Sequence, residues 1–200
     1  LTGLSMTDLS LEIFNGKLTL PESTPILLHG NLKNGIPDFN LYTESLLLEE
    51  IKSLIPGPSL NQITAEAEDV DLYVTGSLTE PLIKGAFFLS SLKRSRFTVT
   101  DAPIGFQLTL KRTNQPRPLH GVVTVKSGQL QGPRTARVTL RESQIFFDGD
   151  PRNPRFRFNG NAQVEKVEIA ITLEGTMNQP DLRLNSSPSL PQPQLLLALA

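Results

Sequence analysis

Apolar and polar residues alternate with a period of two through much of the chain: "VDLYV" at 70–74, "RFTVT" at 96–100, "FQLTL" at 106–110, "RVTL" at 137–140, "RFRFNG" at 155–160 and "VEIAITLEG" at 167–175. Successive side chains of a strand point to opposite faces, so each run predicts a strand with one apolar face. Between the runs fall turn-forming clusters such as "GPRTA", "DGDPRNP" and "TNQPRP", in a chain with 14 Gly and 16 Pro. Many short antiparallel strands joined by turns are expected, and the fold class is all-β. One stretch departs from the alternation. "TESLLLEEIKSLIPGP" offers Thr43 as an N-cap, Leu47, Leu48, Ile51, Leu54 and Ile55 at helical spacing, and Pro56 as a stop. It predicts one short helix near 44–55.

A longer unit recurs. "GSLTEPLI" from Gly76 and "GTMNQPDL" from Gly175 share the form Gly-x-(Leu/Met)-x-x-Pro-x-(Ile/Leu), and Gly30 to Pro37 is a looser third copy. Glycine can leave the β region to begin a turn, and proline, lacking an N–H, belongs where the next strand starts. Each unit therefore ends one strand and begins its neighbour, and an array of such units grows by repetition. The chain starts at Leu1 and stops in "LLLALA", so it reads as a single β-rich slice of a longer repetitive protein. Strands are expected in 1–43, the helix in 44–55 and a further β region in 56–200.

The alternating apolar positions are almost all aliphatic or phenylalanine. They are Leu72 and Val74; Phe87 and Leu89; Phe97 and Val99; Phe106, Leu108 and Leu110; Val138 and Leu140; Phe156 and Phe158; and Ile169, Ile171 and Leu173. Two arrangements satisfy them: a sandwich, in which a second sheet covers the face, or a sheet curved so that the face lines a groove open to an apolar ligand. Periodicity fits both. In the groove, about ten methylenes of an acyl chain would contribute ~8 kcal/mol before the entropy of holding the chain is subtracted, enough to hold a lipid and weak enough to release it.

Charge is segregated. Residues 1–83 hold three Lys/Arg against twelve Asp/Glu, 84–157 hold fourteen against four, and 158–200 hold two against four. Mutual neutralisation or solvated outer faces account for this, and so does an anionic partner. At a groove rim, Lys93, Arg94, Arg96, Lys111 and Arg112 would stand near lipid phosphates. The chain has no cysteine, which excludes disulfides and thiolate metal sites, and no run reaches the roughly 18 apolar residues that span a bilayer.

Nothing in the chain suggests catalysis. His29 and His120 are isolated, no serine sits in a Gly-x-Ser-x-Gly elbow, and Asp148 and Asp150 of "GDPRNP" suit a turn better than a calcium loop. We expect no enzyme, metal or cofactor. "SLKRSRF" and "PRFRF" interleave basic and aromatic residues as nucleic-acid-binding strands do, but their phenylalanines share a phase with the aliphatic core residues, so no nucleic acid is expected. A third role is a β-scaffold whose edge strands recruit another β-protein.

The residues also carry a resemblance. "DVDLYVTGSLTEPLIKGAFFLSS" resembles the recurrent G-x-L-x-x-P-x-L-x-G units of the TamB family in the AsmA-like superfamily, and "SLLLEEIKSLIPG" resembles the short leucine-rich helix preceding them. The segment from Ser143 to Leu199 is similar to the family's C-terminal region at Ile145, Phe147, Asn153, Pro154, Phe156, Phe158, Gly175, Pro180, Leu182, Leu184, Ser186 or Ser187, Pro188 and Leu190. The likeness covers roughly 40–200. It departs from the family at Gln192 or Gln194, where an acidic residue is usual, and it places the family's next apolar helix beyond the chain. The resemblance implies a β-taco, a folded-over sheet with a hydrophobic channel, in the periplasm of diderm bacteria, with an inner-membrane anchor outside this stretch. It further implies phospholipid transport between membranes, or outer-membrane protein assembly with an Omp85-type barrel partner, TamA.

Overall fold

A computed structural model describes residues 11–52, 62–110, 119–133 and 135–199. Thirteen strands form one antiparallel sheet: β1 (Leu11–Leu18), β2 (Ile26–Lys33), β3 (Ile36–Leu47), β4 (Ile63–Gly76), β5 (Pro81–Arg94), β6 (Phe97–Leu110), β7 (Leu119–Val125), β8 (Gly128–Gln131), β9 (Val138–Leu140), β10 (Ser143–Gly149), β11 (Arg155–Val164), β12 (Val167–Thr176) and β13 (Pro180–Ser187). Two short helices, α1 (Leu48–Ile51) and α2 (Gln192–Leu199), complete it. β7 and β8 lie end to end beside β6, and β9 and β10 end to end beside β11, so the sheet is a meander of eleven strand positions. The fold is all-β, as the alternation predicts.

The repeated unit builds the same turn twice. Gly76 lies opposite Pro81 and Gly175 opposite Pro180, each glycine at positive φ (92° and 121°). A Cβ on Gly175 would stand 2.3 Å from the carbonyl oxygen of Gln179, so only glycine fits. Gly30 to Pro37 is not a third copy. Its turn is the two-residue Asn34–Gly35, both at positive φ, as a tight hairpin requires.

The helix expected near 44–55 is shorter and starts later. Thr43 is no N-cap. It sits buried in β3 opposite Val70, and its hydroxyl lies 2.7 Å from that of Thr24. The ladder with β4 takes residues through Leu47, leaving α1 only Leu48–Ile51, with no side-chain cap. Leu54, Ile55 and Pro56 lie outside the described residues. A second helix, α2, which the sequence pattern does not predict, begins at Gln192.

A line of irregularities crosses the sheet at one level. On β4 two residues, Asp69 and Val70, oppose the single Phe87, with Asp69 at φ 49°. On β5 Ser90 is the extra residue against β4, and beside it Asp101 of β6 takes φ 56°. Beside it the partner of β6 is interrupted at Lys126–Ser127, between β7 and β8, where the N–H of Lys126 still donates to the carbonyl of Pro103 (3.0 Å) and the register carries through unshifted. Between Leu140 and Gln144, β9 and β10 spend three residues against two on β11. Bulges bend the strand that carries them and add twist, and adjacent bulges in register fold the whole sheet along a line.

The side of the fold follows from burial. Among the described residues, Thr43, Val70, Leu89, Ala102, Ile104, Val125, Ser143 and Ala162 are buried, and all lie on or near that line. Residues at a crease are the most covered on its inner side and the most exposed on its outer side. The apolar face is therefore the inside of the fold. Only ten hydrophobic side chains are buried among the described residues of a chain that is 38% hydrophobic, far fewer than a second covering sheet would give.

Ser143 mends the ladder where it breaks. Its hydroxyl donates to the carbonyl of Arg141 (2.7 Å) and accepts from the N–H of Asn159 (3.1 Å), a backbone donor beside the bulge. Ser143→Ala would leave both part-buried backbone partners short of a bond, so we expect a loss of about 1–2 kcal/mol in urea unfolding. Ser187→Ala, on an exposed residue, should stay within about 0.5 kcal/mol. Equal midpoints for the two variants would show that the break needs no mending.

Candidate functional site

Residues directly opposite in antiparallel strands share a face, so the register shows what the inside of the fold contains. One row runs through all eleven strand positions: Gly16, Leu28, Leu41, Leu72, Gly85, Phe106, Val123, Ile145, Phe156, Gly175 and Pro180. The next row outward includes Phe39, Val74, Ile83, Leu108, Gly121 and Phe147. Across the fold line, the other arm carries Ala65, Leu92, Val99, Leu130, Val138, Ala162 and Ile169. The remaining positions singled out in the sequence join them: Phe87 opposite Ile104, Leu89 opposite Ala102, Leu140 and Ile171 flanking Gly160, and Phe158 opposite Leu173. Phe97 and Leu110 end the two arms and are exposed. All sixteen face the same way.

Strands "RFTVT" and "FQLTL" are one strand, β6, although their apolar residues fall on odd and even positions. The left-handed Asp101 between them absorbs the change of phase, and Val99 packs against the cluster of Leu89, Ala102, Ile104 and Val125. Gly85 makes room on this face: a Cβ there would stand 2.8 Å from the ring of Phe106. Sequence reading missed Val123, Ile145 and Ile83 because "VVTV", "IFF" and "PLI" set apolar residues side by side and blur the alternation. Phe146 and Val122, the out-of-phase members, pair with each other on the polar face, where the guanidinium of Arg155 lies 5.7 Å from the Phe146 ring.

Part of the apolar face is covered by the chain itself. Leu195 of α2 is 1% exposed and packs on Ile169 and Leu184, with Ile171, Ala198 and Leu199 around them. Ile169 is therefore covered by α2 rather than open. The carbonyl of Leu199 accepts from the N–H of Ala136 at 3.2 Å, tying the end of α2 to the loop between β8 and β9.

The outer face is polar. Arg183 bridges Asp181 (2.7 Å) and Glu174 (3.0 Å), and the hydrogen bond to Asp181 holds its guanidinium above its ordinary pKa. Tyr73 donates to Asp38 (2.7 Å), which raises its phenol in the same way. His120 lies 3.4 Å from Asp148, both on strands, whereas Asp150 caps a turn by accepting from the N–H of Arg152. Among the described residues no ion pair joins the acidic first block to the basic middle one. No metal-holding cluster of acidic, His or Cys residues occurs among them, and no helix there is long and apolar enough to cross a membrane.

The family model for the TamB C-terminal domain matches residues 100–200, from the fold line of β6 through α2. The chain belongs to the TamB family. It is accordingly a protein of the cell envelope, from a family that works with TamA-type partners. No curated protein and no solved structure matches the chain. The match spans the second half of the sheet and α2.

Leu195→Ala should free α2, with a local loss of about 2–5 kcal/mol read as faster amide exchange in α2 and β13. Leu197→Ala, at a position 78% exposed, should leave exchange unchanged. Unaltered protection in the first variant would mean that α2 is not held by its apolar seat.

Proposed function

We propose that this TamB chain is a non-catalytic segment of a bridge for phospholipids between the inner and outer membranes, the inner face of its folded sheet holding acyl chains as in a β-taco. The observation that carries the reading is the continuity of the apolar rows through every described strand position, with α2 laid over one part of them. Eleven positions spaced by about 4.8 Å give a path of about 48 Å, several times the depth of one leaflet's hydrocarbon, about 15 Å. Such a surface binds chains without regard to where along it they lie, which suits movement better than storage. No group in it is placed for bond-making chemistry.

A second reading rests on a different feature. β13 pairs only with β12 among the described strands, and an unpaired edge is a template for strand addition. An Omp85-type barrel such as TamA could pair there, in outer-membrane protein assembly. The two readings are compatible, since a conduit must end on something.

Leu108→Asp puts a charge on the apolar row while Thr109→Asp puts it on the polar face. Phospholipid co-purifying with the protein should fall at least fivefold in the first variant and stay level in the second, with circular dichroism unchanged. Equal lipid in both would remove the acyl-chain reading and leave strand addition as the better one.

A further inference from the structure

Below its lip, the described inner face of β4 to β13 carries no charged side chain, its polar members including Ser143 opposite Val125 and Ser186 opposite Ile169, and one charged residue stands at the lip itself. Arg94 lies opposite Phe97 and Ile63, so it belongs to the outermost row of the apolar face. Its neighbour Lys93 pairs with Thr98 and Thr64 and therefore points to the polar face. Among the described residues of β4 to β13, Arg94 is the one charged residue in register with the inner face; it is exposed and forms no ion pair with any of them. Below it lie the exposed ring of Phe97 and then Val99 and Leu92.

We propose that Arg94 marks a head-group station on the lip, where the guanidinium holds the phosphodiester of a phospholipid whose acyl chains descend the arm beneath. The proposal rests on the lipid reading above and specifies how the lipid is oriented. Arginine suits it because its planar fork matches two phosphate oxygens at once and keeps its charge at any physiological pH. The dimensions agree: from Phe97 to Ala102 at the fold line is five residues, about 17 Å of strand, close to the roughly 15 Å of one leaflet. A phosphate at the lip thus leaves its chains ending at the groove floor. Arg96, in the same turn, adds positive charge outside the groove and draws anionic head groups towards it.

The test uses the whole chain and two fluorescent probes with identical acyl chains, phosphatidylglycerol and diacylglycerol, which differ in the phosphate. Arg94→Gln should weaken phosphatidylglycerol binding about tenfold, the loss of a charge-assisted contact, and leave diacylglycerol binding unchanged. Lys93→Gln makes the same change of charge on the polar face and should alter neither. Leu108→Asp should weaken both probes together. Unchanged phosphatidylglycerol binding in Arg94→Gln, with both probes lost in Leu108→Asp, would overturn the station and leave the groove standing. Equal weakening by the Arg94 and Lys93 variants would overturn it in favour of diffuse charge. If neither probe binds the parent chain, the groove reading fails and the station with it. Preference of the same residues for a single-stranded oligonucleotide over phosphatidylglycerol would also overturn the lipid assignment.

Discussion

Strand pairing becomes irregular along one line of this sheet, and the rest of the structure depends on that irregularity. A broad sheet with one apolar face must cover it, and the usual cover is a second sheet. Here the cover is the sheet itself. Left-handed residues at Asp69 and Asp101, the extra Ser90, the break at Lys126–Ser127 and the surplus residue before Ser143 bend successive strands at one level. The buried residues then collect at the bend, and the arms stay half-exposed. Full closure would have given a dry core, whereas this partial one leaves apolar surface along the inside.

The fold class and the apolar face were legible because strand periodicity is a local property. The residues chosen from their alternation share one face of the sheet in the strand register. The bend was less legible, though its signal was present: apolar residues change from odd to even positions at "VTDAPIGF" and again at "AEAEDVDL". Such a change of phase inside a strand is what a bulge looks like in sequence. It was read as a boundary between strands. The helix at 44–55 was overestimated because helical spacing in "ESLLLEEI" competes with a ladder to β4 that local sequence does not reveal. α2 and its seat on Ile169 and Leu184 were missed for the same reason, as the seat is made by residues far away in the chain.

The two Gly-to-Pro units are solutions to one mechanical problem. Both turns lie on the same edge of the fold, a glycine opening the turn and a proline starting the next strand, so that the register is handed on unchanged. Repetition of that kind extends a surface without adding new chemistry. In this protein of the TamB family, the repeated turn adds length to one apolar face. Charge segregation fits the same economy: among the described residues, charge is confined to the outer face and the lip, and the inner face is apolar apart from hydroxyl side chains such as Thr43 and Ser143.

The central claim is that the inner face is open to lipid while the outer face is not. The most direct measurement is site-specific photo-crosslinking in a diderm bacterium, with the reactive group at Phe106 or Leu108 in one set and at the outward-facing Gln107 or Thr109 in the other, followed by mass spectrometry of attached phospholipid. The account predicts adducts at Phe106 and Leu108 and none at Gln107 and Thr109. Equal labelling of both sets, or none at either in a folded protein, would contradict it.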